Sequence, residues 1–143
     1  MNHILFVTNA DNFQIFDQKH ILGFKQLRKN YALKTHPGDQ LVCYIGGIGK
    51  LAGVFRIESE MYEDREKLFT MKTKDEMYPW RFRVSTLAAL PEEQWLPVEK
   101  FRDKLEMFKK RSGPYWRLAL QGQVHYLTEQ DWQEVENAVK PTP

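Results

Sequence analysis

The chain has 143 residues, 42% of them hydrophobic, and a formal net charge of +2, which fits one ordinary domain with a single buried core. No apolar run approaches the roughly 20 residues a membrane helix needs, the first residues lack a secretory leader, and Cys43 is the single cysteine. An internal disulfide is therefore excluded and a cytoplasmic, non-membrane protein is expected.

Ile4 to Val7 is a compact apolar run that suits a buried first strand. Thr8 or Asn9 then caps a short helix carrying Phe13, Phe16 and His20, and Gly23-Phe24 breaks that pattern. His36-Pro37-Gly38-Asp39 reads as a turn, Leu41 to Ile45 as a central strand, and Gly46 to Gly49 as a hairpin turn. The next strand sets Leu51, Gly53, Phe55 and Ile57 against Arg56 and Glu58. Residues 59–77 form a polar, Met-containing excursion with little regular structure. Tyr78-Pro79-Trp80 leads into a strand that opposes Phe82 and Val84 to Arg81 and Arg83. Val98, Phe101, Leu105 and Phe108, spaced 3, 4 and 3, predict an amphipathic helix. A last helix starts at Thr128, with Asp131 in the capping-box position, and buries Trp132, Val135 and Val139. The expected fold is mainly β with helices: a curled sheet of mostly antiparallel strands with helices packed around it. One domain spans residues 1–140, and residues 141–143 form a loose tail.

Charge is segregated. Five cations and no acid lie between Lys19 and Lys34, and seven cations face only Asp103 and Glu106 between Lys100 and Arg117. Acids gather at residues 58–66 and 129–136. Such a division gives a basic face able to attract phosphates.

Three enzymatic readings fall away. The run Gly46-Gly47-Ile48-Gly49-Lys50 lacks the first glycine and the hydroxyl residue of a phosphate loop, whose places hold Tyr44 and Leu51. His3, His20, His36 and His125 have no second ligand at metal spacing, so no metal and no cofactor are expected. Cys43 sits in the apolar run Leu41 to Ile45, where a thiol packs as a small hydrophobe.

Aromatic and hydrogen-bonding residues remain at strand ends: Asn9, Phe24, Tyr78, Arg81 and Trp116. These are the types that hold an extruded base, with rings stacking on its faces and amide or guanidinium groups meeting its polar edge. Basic side chains at the mouth would hold flanking phosphates.

The segments Thr8-Asn9-Ala10-Asp11-Asn12, Gly23-Phe24, Pro37-Gly38-Asp39 with the strand Leu41 to Tyr44, Leu51 to Phe55, Tyr78 to Phe82 and the late Trp116 follow in an order that resembles EVE-domain proteins. The resemblance runs from about Asn2 to Val139. It implies a PUA-like pseudobarrel, related to YTH and ASCH domains, and a non-enzymatic module that recognises an extruded, modified base in DNA or RNA. Carried onto this sequence, it places Thr8, Asn9, Asn12, Phe24, Tyr44, Tyr78, Pro79, Arg81 and Trp116 around the base. Lys25, Arg28, Lys109, Lys110 and Arg111 are the expected phosphate contacts. Phe24 stands where related readers place an aromatic, often Trp, and offers less stacking area and no indole N–H. A monomer or weak homodimer is expected. Two alternatives stay open: an ASCH-like amidohydrolase of a modified nucleoside using Lys34 and Thr35, and a protein-interaction or dimerisation module using Met61, Met71 and Met77.

Overall fold

A computed structural model describes residues 1–71, 77–110 and 113–140. Strand β1 (His3–Thr8) is followed by helix α1 (Ala10–Lys19), β2 (Ile21–Phe24), a 3-10 turn over Gln26–Arg28 and α2 (Lys29–Leu33). Then come β3 (Gln40–Ile45), β4 (Lys50–Ile57), the short β5 (Tyr62–Glu63) and the long β6 (Trp80–Ala89). β7 (Leu96–Pro97), α3 (Glu106–Lys109), β8 (Val124–Tyr126) and α4 (Glu129–Val139) complete the chain.

The sheet runs β2-β6-β4-β3-β1-β8, with β5 on β6 and β7 on β4. Among the described residues only the β1–β3 pair is parallel, since α1 and β2 intervene, so the mixed α+β fold with a largely antiparallel sheet is as the sequence predicts. Both faces are covered. Phe6, Cys43, Ile45, Phe55 and Phe82 fill the inner core with Phe13 and Phe16 of α1. Leu5, Val42, Tyr44 and Val54 point the other way and pack under Phe108, Trp116, Trp132 and Val135. Alternation along β1 and β3 therefore separates two apolar layers rather than an apolar and a wet face.

The ends of the sheet are joined by a side chain. Gln123 passes its backbone carbonyl to the Val7 N–H of β1 (2.8 Å). Its side-chain amide accepts from the Lys25 N–H (3.0 Å) and donates to the Gly23 carbonyl (3.3 Å) beside β2. At 5% exposure this amide stands in for a ladder rung between β2 and the β8 end of the sheet.

Three local expectations are corrected. Gly23-Phe24 belongs to β2 and pairs with Trp80 and Arg81 of β6. The predicted helix over Val98–Phe108 is a 3-10 turn (Val98–Phe101) and α3, separated by an extended Leu105. The cause is Asp131. Its carboxylate accepts from the Glu106 N–H (2.9 Å) and the Met107 N–H (3.3 Å), capping a new helix start. Thr128 Oγ1 caps α4 through the Asp131 N–H as predicted, but the carboxylate that would close the capping box is spent on α3. The tail 141–143 lies outside the described residues.

Candidate nucleic-acid interface

The parallel pair β1–β3 ends at Thr8 and Ile45, where the Gly46 N–H donates to the Thr8 carbonyl (2.7 Å). Asn9 turns the chain into α1, its side chain accepting from the Asn12 N–H (2.8 Å). Beyond these strand ends opens a cleft of about 600 Å³, lined by Val7, Thr8, Asn9, Asp11, Lys25, Gly46, Gly47, Thr70, Met71 and Tyr78. Its size lies within the range of small-molecule sites. Its wall mixes hydroxyl, amide, ammonium and backbone groups and the Asp11 carboxylate with apolar Val7, Met71 and the Tyr78 ring.

The wall opposite β1 is a loop held by two buried polar residues. Asn12, 2% exposed, accepts from the Thr70 N–H (2.7 Å) and hydroxyl (2.9 Å) and donates to the Thr70 carbonyl (3.2 Å) and the Tyr78 hydroxyl (3.3 Å). Arg81, also 2% exposed, donates to the carbonyls of Tyr78 (3.0 Å) and Glu66 and pairs with Asp64 (3.3 Å). Tyr78 is held between them at φ 50°, a left-handed conformation that costs an aromatic residue free energy. Gly23 underlies the same wall. A Cβ there would come within 2.6 Å of the Phe69 ring and 2.9 Å of Tyr78 Cβ, so only glycine lets this loop settle.

Beneath the cleft is a nearly closed apolar hollow of about 10 Å³ between Phe6, Phe16, Leu22, Cys43 and Phe69, sharing Thr8 and Tyr78 with it. Burial pushes the Cys43 thiol well above its ordinary pKa, with Asp17 adding to the effect, so this sulfur is an apolar lining atom and not a nucleophile.

Comparison with known proteins identifies the fold. The EVE domain family model matches residues 2–138. The chain belongs to the EVE domain family. A UPF0310 protein of Pyrococcus abyssi is 26% identical over 145 residues, covering 96% of this chain and 99% of that protein. Among solved structures, the human THYN1 protein in complex with 5-methylcytosine-containing DNA superposes with a TM-score of 0.64 at 16% identity, over all of both chains. The Pho92 YTH domain in complex with m6A gives a TM-score of 0.73 at 11% identity, over 99% of this chain and 87% of that one. The curled sheet with its four helices is thus a PUA-like pseudobarrel.

This EVE domain gathers only part of the residue set read from its sequence. Thr8, Asn9, Lys25 and Tyr78 line the cleft. Asn12 lies just below it, with its amide fully committed to Thr70 and Tyr78. Phe24 does not reach the cleft: it is 0% exposed, with its ring centroid 5.5 Å from those of both Phe6 and Phe82. The curl of the sheet turns this strand end inward, so the ring cannot stack on a base. Arg81 and Pro79 are buried as well, and Arg81 is a loop fastener rather than a base-edge donor. Tyr44 and Trp116 belong to the layer on the opposite face of the sheet, where Trp116 packs edge-on against Phe108 at 4.9 Å. Arg28 lies on the segment leading away from Lys25, whereas Lys109 ends α3 and Lys110 follows it, with that opposite layer, and Lys109 pairs with Glu106 (3.7 Å). Arg111 lies outside the described residues.

Four contributors were not singled out from sequence: Gln123, Thr70, and Gly46 and Gly47, which read only as a turn. A glutamine or threonine in a loop carries no periodic signal, and its role depends on partners 58 or 100 residues away. As for the amidohydrolase alternative, the Thr35 hydroxyl is 2% exposed and donates to the Tyr31 carbonyl (2.9 Å), so it does not face a substrate. Among the described residues no group of three or more His, Cys, Asp or Glu side chains is placed to hold a metal ion, and no helix is long and apolar enough to cross a membrane.

Proposed function

We propose that this EVE domain is a binding module for one extruded, modified base in a nucleic-acid strand, taken up in the cleft at the ends of β1 and β3. The observation that carries the reading is the cleft itself: polar Thr8, Asn9 and Lys25 and the Tyr78 ring around a space of about 600 Å³, next to a small, nearly closed and mostly apolar hollow with which it shares Thr8 and Tyr78. A base needs both kinds of surface. Its polar edge costs free energy if buried without partners, and a methyl group on it is stabilised by apolar contact, by about 0.8 kcal/mol or roughly fourfold in affinity. Tyr78, 7% exposed and ordered by Asn12 and Arg81, reaches the cleft with only part of its ring, and it replaces Phe24 as the aromatic surface offered to the base. The fold shared with proteins solved with 5-methylcytosine DNA and with m6A supports the same reading.

The phosphates flanking the base meet Lys25 and Arg28, whose segment is free of acids. The test is fluorescence anisotropy with paired oligonucleotides that differ only in one 5-methylcytosine or N6-methyladenosine. Tighter binding of one modified member, weakened at least tenfold by Tyr78→Ala, supports the reading. Equal affinity for modified and unmodified strands across a salt titration rejects it.

A further inference from the structure

The segment from Lys25 to Lys34 follows the edge of the sheet from one end to the other, and three contacts fix its path. At the cleft, the Lys25 N–H reaches the Gln123 side chain just before β8. Toward the far end, Tyr31 of α2 meets Tyr126 of β8 with ring centroids 6.1 Å apart. At that end itself, the Lys34 carbonyl accepts from the Asn2 side chain at 2.7 Å, one residue before β1. Since β8 runs antiparallel to β1, with Tyr126 opposite Ile4, the segment descends the length of β1 away from the cleft.

Its chemistry is uniform. Lys25, Arg28 and Lys34 lie along it, Lys29 sets its ammonium over the Trp80 ring of β6 at 4.7 Å, His36 follows, and no acid occurs between Asp17 and Asp39. The Asp39 carboxylate is buried and accepts from the backbone N–H groups of Asn2 and His36 and from the Asn2 amide. The path ends in an open hollow of about 680 Å³ walled by Leu33, Lys34, His36 and Tyr126. Leu33 is 54% exposed and Tyr126 42% exposed there. A row of cations ending on an exposed aromatic is the composition of a surface that tracks a single strand by its phosphates and stacks a base.

We infer that the Lys25–Lys34 segment and Tyr126 form a second contact surface for the single strand leaving the base cleft, with Tyr126 as a stacking platform at its far end. This rests on the reading of the cleft as a base site, and it adds a length. From Val7 to Asn2 is five residues of strand, about 17 Å at roughly 3.4 Å per residue. That span takes about three to five nucleotides, five at the roughly 3.4 Å rise of a stacked strand and fewer when extended. The strand is single because a duplex presents no free base face to Tyr126.

The experiment uses the full chain and single-stranded oligonucleotides with one modified base and flanks of zero to eight nucleotides, extended on one side at a time. Affinity is expected to climb with flank length on one side only and to level off at about five nucleotides. Tyr126→Ala is expected to remove about tenfold of that gain. Lys34→Gln is expected to lower the slope of log K against log salt by about one. Both side chains are exposed, so the fold tolerates these changes, and affinity for the shortest oligonucleotides stays at the wild-type value. A length gain that persists in both variants, or equal gains on both sides, overturns the inference. Failure of the wild type to distinguish modified from unmodified strands at any length overturns the base-site reading instead. The length series with unmodified strands then still judges the tract.

Discussion

Replacing Gln123 with Met removes the amide rung between β2 and β8 while nearly preserving volume. The Lys25 N–H loses its acceptor at 3.0 Å and the Gly23 carbonyl its donor at 3.3 Å. Leaving a buried donor or acceptor unsatisfied costs about 1–3 kcal/mol. Lys25 is only half-buried and water can reach it, so the low end of that range applies to its N–H. The sum is about 2–4 kcal/mol, a drop in Tm of roughly 4–16 °C for a chain of this size. The local effect is larger, because Val7 and Lys25, on two walls of the cleft, are tied through this one residue. Thermal unfolding measures the first quantity, and amide hydrogen exchange at Lys25 the second. A control variant, Val139→Ala in α4, sits in the opposite apolar layer and lowers Tm without touching the cleft. Gln123→Met is expected to accelerate Lys25 exchange and weaken oligonucleotide binding, and the control to do neither. If Gln123→Met melts within about 1 °C of wild type and leaves Lys25 protected, the side-chain rung carries no weight and the reasoning fails.

Gly23→Ala places a Cβ 2.6 Å from the Phe69 ring and should cost about 1–3 kcal/mol through overpacking, read as a lower denaturant midpoint together with weaker strand binding. Asn12→Ala frees Thr70 and Tyr78, so residues 64–71 should become more open to proteolysis and exchange while β3 and β4 remain protected. Phe24→Ala should destabilise by about 3–5 kcal/mol, the cost of emptying a core position, and so abolish binding only by loss of fold. His125 gives a pH dependence. Burial lowers its pKa, and among the described residues its buried Nε2 has no hydrogen-bond partner. The unfolded chain therefore takes up the proton first as pH falls through the ordinary histidine value of about 6.5. Stability should fall from there down to the lower folded pKa, and Tm measured at successive pH values should show a shallower acid decline in His125→Gln.

The elements legible in the sequence were those with a strong period or a clear cap. β1, α1 with its Asn9 cap, β3, the Gly46–Gly49 turn and α4 with its Thr128 cap all stand where patterning puts them. The segment 98–108 shows the limit: its 3-4-3 spacing correctly marks four buried residues, yet a carboxylate from α4 breaks the helix in two. The site divides in the same way. Thr8, Asn9, Lys25 and Tyr78 line the proposed cleft because strand ends and a helix cap place them locally. Phe24 and Arg81 were misread because alternation cannot tell a solvent face from one that a loop later covers. Arg81 alternates with Phe82 as an exposed residue would, and residues 64–70 close over it. Tyr44 and Trp116 were misplaced because a sheet packed on both faces has no wet side to reserve for a pocket.

The central claim is that one base occupies the cleft at the ends of β1 and β3. Mapping backbone and side-chain amide shifts by heteronuclear NMR, while titrating an oligonucleotide with one modified base, tests it directly. The largest shifts are expected on Thr8, Asn9, Gly46, Gly47, Thr70 and Tyr78, and they shrink when the unmodified strand is used. Shifts confined to the basic segment or to the apolar layer on the opposite face of the sheet, unchanged by the modification, would contradict the claim.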